Sequence, residues 1–288
     1  MATFAAIAAQ FLLSLPGAAG VPDSLLVEER YFGSFEGAYR IISDTRGNIA
    51  VLDRTVNLIS IFSPRFELLR ETGGYGWSSV SFDHPTAVAS DGLSFFVSDY
   101  GNHRISRFDQ QFSPISTLST RDTVFGPARF GFPEGVAITR QGELYVLDGE
   151  NLQVVKFDSR SNFETAFGGY ESGEGRLAKP IEITVSHSDR VLVLEPNRIV
   201  AFDFVGNYLG SFGEGILSSA RGFGEVNNGM VVVSADTIWT FDAAGNLRKT
   251  MAASDLLSEP LNDLFDAVAI GDRMFFLTRR AVGVFRFE

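Results

Sequence analysis

The chain of 288 residues contains no cysteine and only three histidines. Without thiols, the protein has no disulfides, no thiolate metal site and no cysteine nucleophile. Basic side chains are also scarce, since 24 Lys and Arg stand against 35 Asp and Glu and give a net charge of −11. Binding to nucleic acid requires clustered basic residues that neutralise phosphates. We therefore expect no nucleic-acid partner.

Long hydrophobic runs are confined to the first 20 residues, which contain no charged side chain. This stretch ends in small residues and resembles the apolar region and cleavage site of a secretory signal peptide, without the basic residues that usually precede it. We predict a leader over residues 1–20 and a secreted or periplasmic protein. The alternative is an amphipathic helix, which would leave the protein cytoplasmic. The stretch is too short and too interrupted for a membrane span, and we expect none in the rest of the chain.

Phenylalanine is abundant, with 27 copies, and six of them follow one another at intervals of 39 to 49 residues. Each of the six closes a short apolar run. They are Phe62, Phe108, Phe157, Phe202, Phe241 and Phe287. A residue class that returns at this interval indicates an internal repeat of about 45 residues.

Each repeat contains four runs of four to six residues, rich in Val, Ile and Phe and bounded by Gly, Asp or Asn, which predicts four strands. Four strands per repeat and six repeats predict an all-β fold, a six-bladed β-propeller. The last repeat stops at Glu288 after its third strand, and the segment 25–35 resembles the missing fourth. We predict that this N-terminal strand completes the last blade, which removes two open sheet edges, and that residues 21–288 form one domain. The boundaries of the fifth repeat are the weakest.

The segment 99–109, DYGNHRISRFD, resembles the signature of the NHL repeat, and 148–158, DGENLQVVKFD, is a close second. Looser copies stand at 53–63 and 195–203, whereas the last two repeats keep only the strand pattern. The resemblance implies a six-bladed NHL propeller. Such propellers often present one face to a protein, peptide or glycan.

Acidic residues recur at fixed places in the repeats. Asp99, Asp148 and Glu195 each end the second strand of a repeat, where a carboxylate can accept backbone N–H bonds across a turn. The spacing D-x-x-G-N, which begins at Asp44, Asp203 and Asp242, is typical of a tight turn. We expect structural roles for these carboxylates, because an EF-hand-like calcium site needs further oxygen ligands and none follows.

Side chains that break the repeat are the candidates for function. The aligned starts of the innermost strands carry charges of both signs, which is typical of a ligand pocket at the mouth of the central channel. The aligned starts are Tyr39, Thr86, Glu134, Ile181, Arg221 and Asp266, and the next aligned positions are Arg40, Ala87, Gly135, Glu182, Gly222 and Ala267. The candidate ligand-binding residues at these two positions are Arg40, Glu134, Glu182, Arg221 and Asp266. The alternative is that these charges pair with one another and with water. If they hold a cation, the ligands would be Glu134, Glu182 and Asp266, and the cation would be calcium or another divalent ion.

A second candidate surface is the loop at 75–77, which carries Trp77, one of only two tryptophans, together with the loop at 120–131. Exposed Trp and Tyr are typical anchors of contact surfaces. Packing between blades is the alternative, and we expect it for Trp239. The histidines do not form a zinc site in this topology, because His84 and His103 fall on one face and His187 on the other.

Together these patterns favour an extracytoplasmic NHL-repeat propeller that acts as a monomeric binding or scaffold module, with no cofactor. The alternative is a hydrolase or lyase that uses a divalent cation at the channel mouth, similar to lactonase-type propellers. No asparagine stands at the aligned strand starts, although the metal cage of those enzymes requires one.

Overall fold

The computed structural model describes residues 11–13, 24–226, 229–256 and 263–287. Their strands are β1 (Phe11–Leu13), β2 (Ser24–Phe32), β3 (Ala38–Ser43), β4 (Ile49–Asp53), β5 (Leu58–Phe62), β6 (Leu68–Gly73), β7 (Pro85–Ser90), β8 (Ser94–Asp99), β9 (Arg104–Asp109), β10 (Pro114–Leu118), β11 (Pro133–Ile138), β12 (Leu144–Asp148), β13 (Gln153–Phe157), β14 (Phe163–Phe167), β15 (Glu182–Val185), β16 (Val191–Glu195), β17 (Arg198–Phe202), β18 (Tyr208–Phe212), β19 (Gly222–Val226), β20 (Gly229–Val233), β21 (Thr237–Phe241), β22 (Leu247–Ala252), β23 (Leu264–Ile270), β24 (Arg273–Thr278) and β25 (Val282–Phe287). Helical turns of the 3-10 type occur at Gly126–Ala128, Gly173–Gly175 and Ala253–Asp255. No helix in these ranges is long and apolar enough to cross a membrane.

The strands form six antiparallel sheets arranged as the blades of a propeller. Blade 1 is β3–β6, blade 2 is β7–β10, blade 3 is β11–β14, blade 4 is β15–β18 and blade 5 is β19–β22, while blade 6 combines β23–β25 with β2. The first strand of each blade lines the central channel. The predicted all-β, six-bladed architecture is confirmed, including the uncertain fifth blade.

Strand β2 closes the ring from the N-terminal side. It pairs antiparallel with β25, from Leu26 opposite Phe287 to Phe32 opposite Val282, and β1 adds a short edge strand. The predicted closure is therefore confirmed. The remaining residues of the predicted leader, 1–10 and 14–20, lie outside the described residues, and the leader stays a prediction.

Five of the six repeated phenylalanines lie in the core between blades, whereas Phe287 is half-buried and Phe285, opposite Met274, fills the equivalent position in blade 6. Phe108, Phe157, Phe202 and Phe241 are at most 1% exposed, and each ends the third strand of its blade or precedes that strand's last residue. Phe202, for example, contacts the ring of Phe167 in the preceding blade at 4.9 Å. A buried aromatic side chain contributes about 1.5–3 kcal/mol through the apolar area it removes from water. The composition is thus largely explained by the architecture.

The D-x-x-G-N segments form tight turns, as predicted. Asp44 Oδ1 accepts hydrogen bonds from the backbone N–H groups of Arg46 and Asn48, at 2.8 and 2.9 Å. Gly47 adopts φ = +78°, a left-handed conformation that glycine reaches without steric cost. Each carboxylate is satisfied within its own turn.

The two faces of the propeller differ in their connections. One face carries the loops between blades and the turns between second and third strands, and we call it the Trp77 face after the β6–β7 loop. The other carries the turns within the first and last strand pairs of each blade, and we call it the His187 face after the β15–β16 turn. His84 and His103 lie on the Trp77 face, as predicted, and contact Tyr100 and Phe132 respectively.

Candidate functional site

Carboxylates that follow the second strands hold the interblade loops in place. Asp53 Oδ2 accepts backbone N–H bonds from Glu36 and Gly37, at 2.7 and 3.1 Å. Glu195 Oε1 does the same for Ala178 and Lys179 in blade 4, at 2.5 and 2.6 Å. The structural role predicted for these repeated acids is confirmed, since each one satisfies N–H groups of the loop before its own blade.

In blade 2 the NHL signature supports the loop that carries Trp77. Arg104 Nε donates to the buried Asp99 at 2.7 Å, while its terminal nitrogens donate to the carbonyls of Ser78 and Ser81, at 2.8 and 2.9 Å. Asn102 Nδ2 donates to Asp99 and to the Gly76 carbonyl, at 2.8 and 2.9 Å. Burial raises the pKa of Asp99, while its hydrogen bonds to Asn102, the Asp83 backbone and Arg104 oppose that rise. The loop backbone is fixed although its side chains face solvent.

Trp77 itself is 74% exposed, and the ring of Tyr75 lies 6.4 Å from its ring. Seven further large hydrophobic side chains left in solvent lie in the connections of this face, against three in the connections of the His187 face. They are Val56, Val80, Val124, Phe125, Phe132, Tyr170 and Ile216. By contrast, Trp239 packs in the core, as predicted. The Trp77 face therefore concentrates exposed apolar and aromatic surface.

A strip of alternating cationic and aromatic side chains crosses the same face near the channel. The guanidiniums of Arg40 and Arg54 both contact the ring of Tyr39, at 4.2 and 4.8 Å from its centre. Arg54 Nε donates to His84 Nε2 at 2.7 Å, and burial together with Arg54 lowers the pKa of His84. His84 in turn contacts Tyr100. A neutral imidazole is the form that can accept the Arg54 proton donor.

The strip continues from blade 1 onto the neighbouring blade 6. Phe265 lies 6.1 Å from Tyr39, and the guanidiniums of Arg221 and Arg279 lie 4.7 and 5.4 Å from its ring. Both of these arginines bind Asp263. Sequence reasoning named Arg221 but missed Tyr39, Arg54 and Phe265 as members of the surface. The aromatic residues directly before Arg40 and Asp266 were the signal that pointed to it.

In blade 6, the strand register differs by one residue from the alignment that predicted the ring of charges. Arg40 pairs with Leu52 and Asp266 with Leu277, and each partner directly precedes the last residue of its second strand. Asp266 is thus equivalent to Arg40. The equivalent residues are Arg40, Ala87, Gly135, Glu182, Gly222 and Asp266. The alignment that placed Asp266 one position earlier is wrong, because no proline marks the start of this strand.

Three charged residues therefore share one layer with three very small ones, and the small residues leave them space. A Cβ atom on Gly222 would lie 2.6 Å from Asp266 Oδ1, and one on Gly135 would lie 2.9 Å from Ile183. Arg40 extends across the channel from blade 1 to blade 4. There it donates to the Ile181 carbonyl at 2.9 Å.

The buried charges balance only in part. Arg40 Nε lies 3.7 Å from Glu182 Oε1, and Asp266 accepts backbone N–H bonds from Ile41 and Ala267, at 3.0 and 2.8 Å. Burial opposes the charge on Arg40, but the two carboxylates outweigh it and raise the pKa of Arg40. Burial raises the pKa of Asp266 to about 6 and that of Glu182 well above its usual value, although Arg40 opposes both shifts. Two carboxylates compete for one guanidinium.

Glu134 and Arg221 lie one residue closer to the Trp77 face than this layer. Burial raises the pKa of Glu134, while Arg54 and Arg40 oppose the rise. Arg221 turns outward to Asp263 instead of joining the other charges. The structure thus brings Arg40, Glu182 and Asp266 together, keeps Glu134 beside them and separates Arg221.

A cavity of about 560 Å³ occupies the channel beyond this layer. It is lined by Arg40 and Glu182, by small and branched side chains of the inner strands, and by turn residues of the His187 face such as Asp91 and Arg140. The buried charges therefore lie at the inner end of a funnel on the face opposite Trp77.

The carboxylates predicted for calcium surround Arg40. Within the ranges that the structure describes, no group of three or more acidic or histidine side chains is arranged to hold a metal ion. A guanidinium in the middle of the set would have to be displaced by a cation. A calcium site at Glu134, Glu182 and Asp266 stays a prediction.

The model of the NHL repeat family matches residues 130–157, which run from the loop before β11 to the end of β13. This match adds a sequence criterion to the six blades and to the signature residues that fix the loops. The protein is a six-bladed β-propeller that contains an NHL repeat. Protein brain tumor of Drosophila melanogaster is 28% identical over 126 residues, which cover 41% of the NHL propeller but only 12% of that relative's length.

Solved structures share the fold at low sequence identity. Virginiamycin B lyase from Staphylococcus aureus superimposes with a TM-score of 0.62 at 11% identity, over 89% of the NHL propeller and 98% of that chain. A streptogramin B lyase gives 0.61 at 13% identity over 90% and 97%. Hydrazine synthase of Kuenenia stuttgartiensis gives 0.57 at 13% identity over 86% and 75%. At such identities the likeness shows the fold alone.

Proposed function

We propose that this NHL propeller is an extracytoplasmic binding module that holds a protein or peptide ligand on its Trp77 face. The observation that carries the proposal is the exposure of Trp77 on a loop whose backbone is fixed by Asp99, Asn102 and Arg104. A rigid backbone that presents an exposed indole loses little conformational entropy when a ligand covers it. The predicted leader supports the extracytoplasmic location.

The composition of the face fits a protein ligand. Trp, Tyr and Arg are the residue types that dominate binding energy at protein interfaces. Tyr75 and Trp77 supply apolar area, and the strip from Arg54 to Arg279 supplies cations already stacked on aromatic rings. Stacked guanidiniums retain free N–H donors at their edges, so they can bind carbonyls or carboxylates of a peptide without losing the ring contact.

The test is a selection of peptides from a displayed library on the immobilised NHL propeller, with a glycan array run in parallel. We expect selected peptides to lose at least tenfold in affinity on Trp77→Ala and on Arg54→Ala. Leu209→Ala is the matched control, because Leu209 is 54% exposed on the outer strand β18 and away from the face. Peptides that bind Trp77→Ala as well as the parent, or ligands found only on the glycan array, would contradict the proposal.

A further inference from the structure

A second cavity lies at the seam where β2 closes the ring. Its volume is about 450 Å³, and it opens to solvent between blades 6 and 1, near the His187 face and independent of the Trp77 face. It is lined by Val27, Glu29, Arg30, Phe66, Arg273 and Arg286. Three of these six residues are arginines, in a protein whose net charge is −11.

Two of the arginines stand directly opposite each other on neighbouring strands. Arg273 of β24 pairs with Arg286 of β25, an arrangement that costs energy because like charges face each other. Glu29 offsets part of this cost. Its carboxylate binds Arg273 Nε at 2.9 Å and also binds Arg286. The register of β2 shifts between Glu28 and Arg30, so Glu29 is the extra residue of a β-bulge.

Arg30, next to the bulge, adds a third guanidinium to the same cavity. Within the described part of the chain it makes no salt bridge, and it lies 5.6 Å from the centre of the Phe66 ring. Arg273 lies at the same distance from that ring. The ring of Phe66 also stacks on the ring of Phe32, with 4.9 Å between the ring centres and an interplanar angle of 16°. Phe66 thus provides a fixed apolar wall between two cations.

The charges of the seam do not balance. Among the described residues that line the cavity, three guanidiniums face one carboxylate, which leaves an excess of two positive charges in a cavity open to solvent. Closure of the ring does not require them, since one Arg–Glu pair or apolar residues would join the strands without the repulsion between Arg273 and Arg286. The planar fork of arginine matches the oxygens of phosphate and binds them with charge-assisted hydrogen bonds.

We propose that this seam binds a phosphate group, with Arg30, Arg273 and Arg286 as its ligands. A dianion balances the excess charge, and the bound group connects β2 with β24 and β25. The cavity is larger than free phosphate, so the group has two sources, inorganic phosphate or a phosphate monoester. Both present the same oxygens to the arginines.

The experiment measures binding to the intact protein by isothermal titration and by thermal unfolding, with inorganic phosphate and O-phosphoserine as separate probes. Sodium chloride at the same ionic strength corrects for general screening. At a probe concentration of about ten times its Kd, we expect the melting temperature to rise by about 3 °C. Binding of inorganic phosphate identifies a free-ion site, and binding of phosphoserine alone identifies a monoester site.

Arg30→Gln is the decisive variant, because Arg30 makes no salt bridge with Glu29 and its loss does not leave that carboxylate unpaired. We expect at least a tenfold weaker Kd for the bound probe. Arg160→Gln removes an exposed arginine from the β13–β14 turn of blade 3 and should bind like the parent. The proposal is overturned if neither probe binds, or if both variants lose affinity equally. Failure here leaves the binding function of the Trp77 face untouched.

Discussion

Arg40 and Glu182 meet across the central channel, with 3.7 Å between Nε and Oε1 and with side chains only 3% and 15% exposed. They belong to blades 1 and 4, which stand opposite each other in a ring of six. This ion pair and the hydrogen bond from Arg40 to the Ile181 carbonyl therefore link two opposite blades directly, and we call them the brace. The hydrophobic clusters of the described residues, in contrast, each join two neighbouring blades.

Replacing Arg40 by methionine tests this brace. The variant leaves Glu182 and Asp266 buried without their cation, and removal of one partner of a buried ion pair costs about 3–5 kcal/mol. Urea unfolding followed by tryptophan fluorescence measures the loss. Arg54→Met is the control, since Arg54 also contacts the Tyr39 ring but lies partly in solvent, and we expect it to cost less than about 1 kcal/mol. Equal losses would show that Arg40 contributes only packing.

The pKa of Asp266 predicts how stability depends on pH. Burial raises it to about 6 in the folded protein, so the folded state binds more protons than the unfolded state between about pH 4 and 6. The free energy of unfolding should therefore fall as pH rises through this window, and the raised pKa of Glu182 acts in the same direction. Asp266→Asn should be more stable relative to the parent at pH 8 than at pH 4. A difference that does not change with pH, measured by urea unfolding, would rule this out.

We expect Asp148 to contribute more to the free energy of unfolding than an acidic residue in an exposed turn does. It is fully buried and accepts hydrogen bonds from the Gly131 and Glu150 backbones and from Asn151 and Gln153. Asp148→Ala leaves these donors without an acceptor, and we expect a loss of about 3 kcal/mol in unfolding free energy.

Its control is Asp158→Ala, which removes a carboxylate from the exposed β13–β14 turn and should cost clearly less. Both losses are read from urea unfolding. If the two variants are equally stable, the buried carboxylate is not what fixes the loop before blade 3.

Replacing Phe32 tests how much strand β2 stabilises the closed ring. It is buried at the end of β2 and contacts Phe62 and Phe66 of blade 1, at 5.0 and 4.9 Å between ring centres. We expect Phe32→Ala to cost about 3–5 kcal/mol, as for other buried phenylalanines. Leu209→Ala, on an exposed outer strand, should stay within about 0.5 kcal/mol of the parent. A small effect of Phe32→Ala on the melting temperature would mean that β2 contributes little to closure.

Calcium distinguishes the binding module from the cation-dependent hydrolase or lyase. Because the Arg40 guanidinium lies among Glu134, Glu182 and Asp266, we expect calcium to shift the melting temperature of the parent and of Glu134→Gln equally. Differential scanning fluorimetry at constant ionic strength measures both shifts. A rise that is present in the parent and absent in Glu134→Gln would favour the enzymatic alternative.

The sequence predicts the structural features that recur from blade to blade, and it predicts poorly the contacts that occur only once. The recurring Phe and Asp residues lead to the blades, to the closing strand and to the buried acids, because each position is supported by several copies. The register of β23 is missed by one residue, since prolines such as Pro85 and Pro133 mark the strand starts of blades 2 and 3 and blade 6 has none. The partners of Arg221 and Arg30 lie in distant or unrepeated segments, and only the folded chain shows them.

Ring closure by β2 also governs when folding can finish. The partner of β2 is β25, which follows it in the chain by about 250 residues. During synthesis at roughly 5–20 residues per second, β2 stays unpaired for on the order of tens of seconds until β25 has been made. Its Glu28, Glu29 and Arg30 are then charges on an unpaired strand, and such charges oppose pairing with another chain. The bulge that forms the seam thus lies in the segment with the longest delay before it can fold.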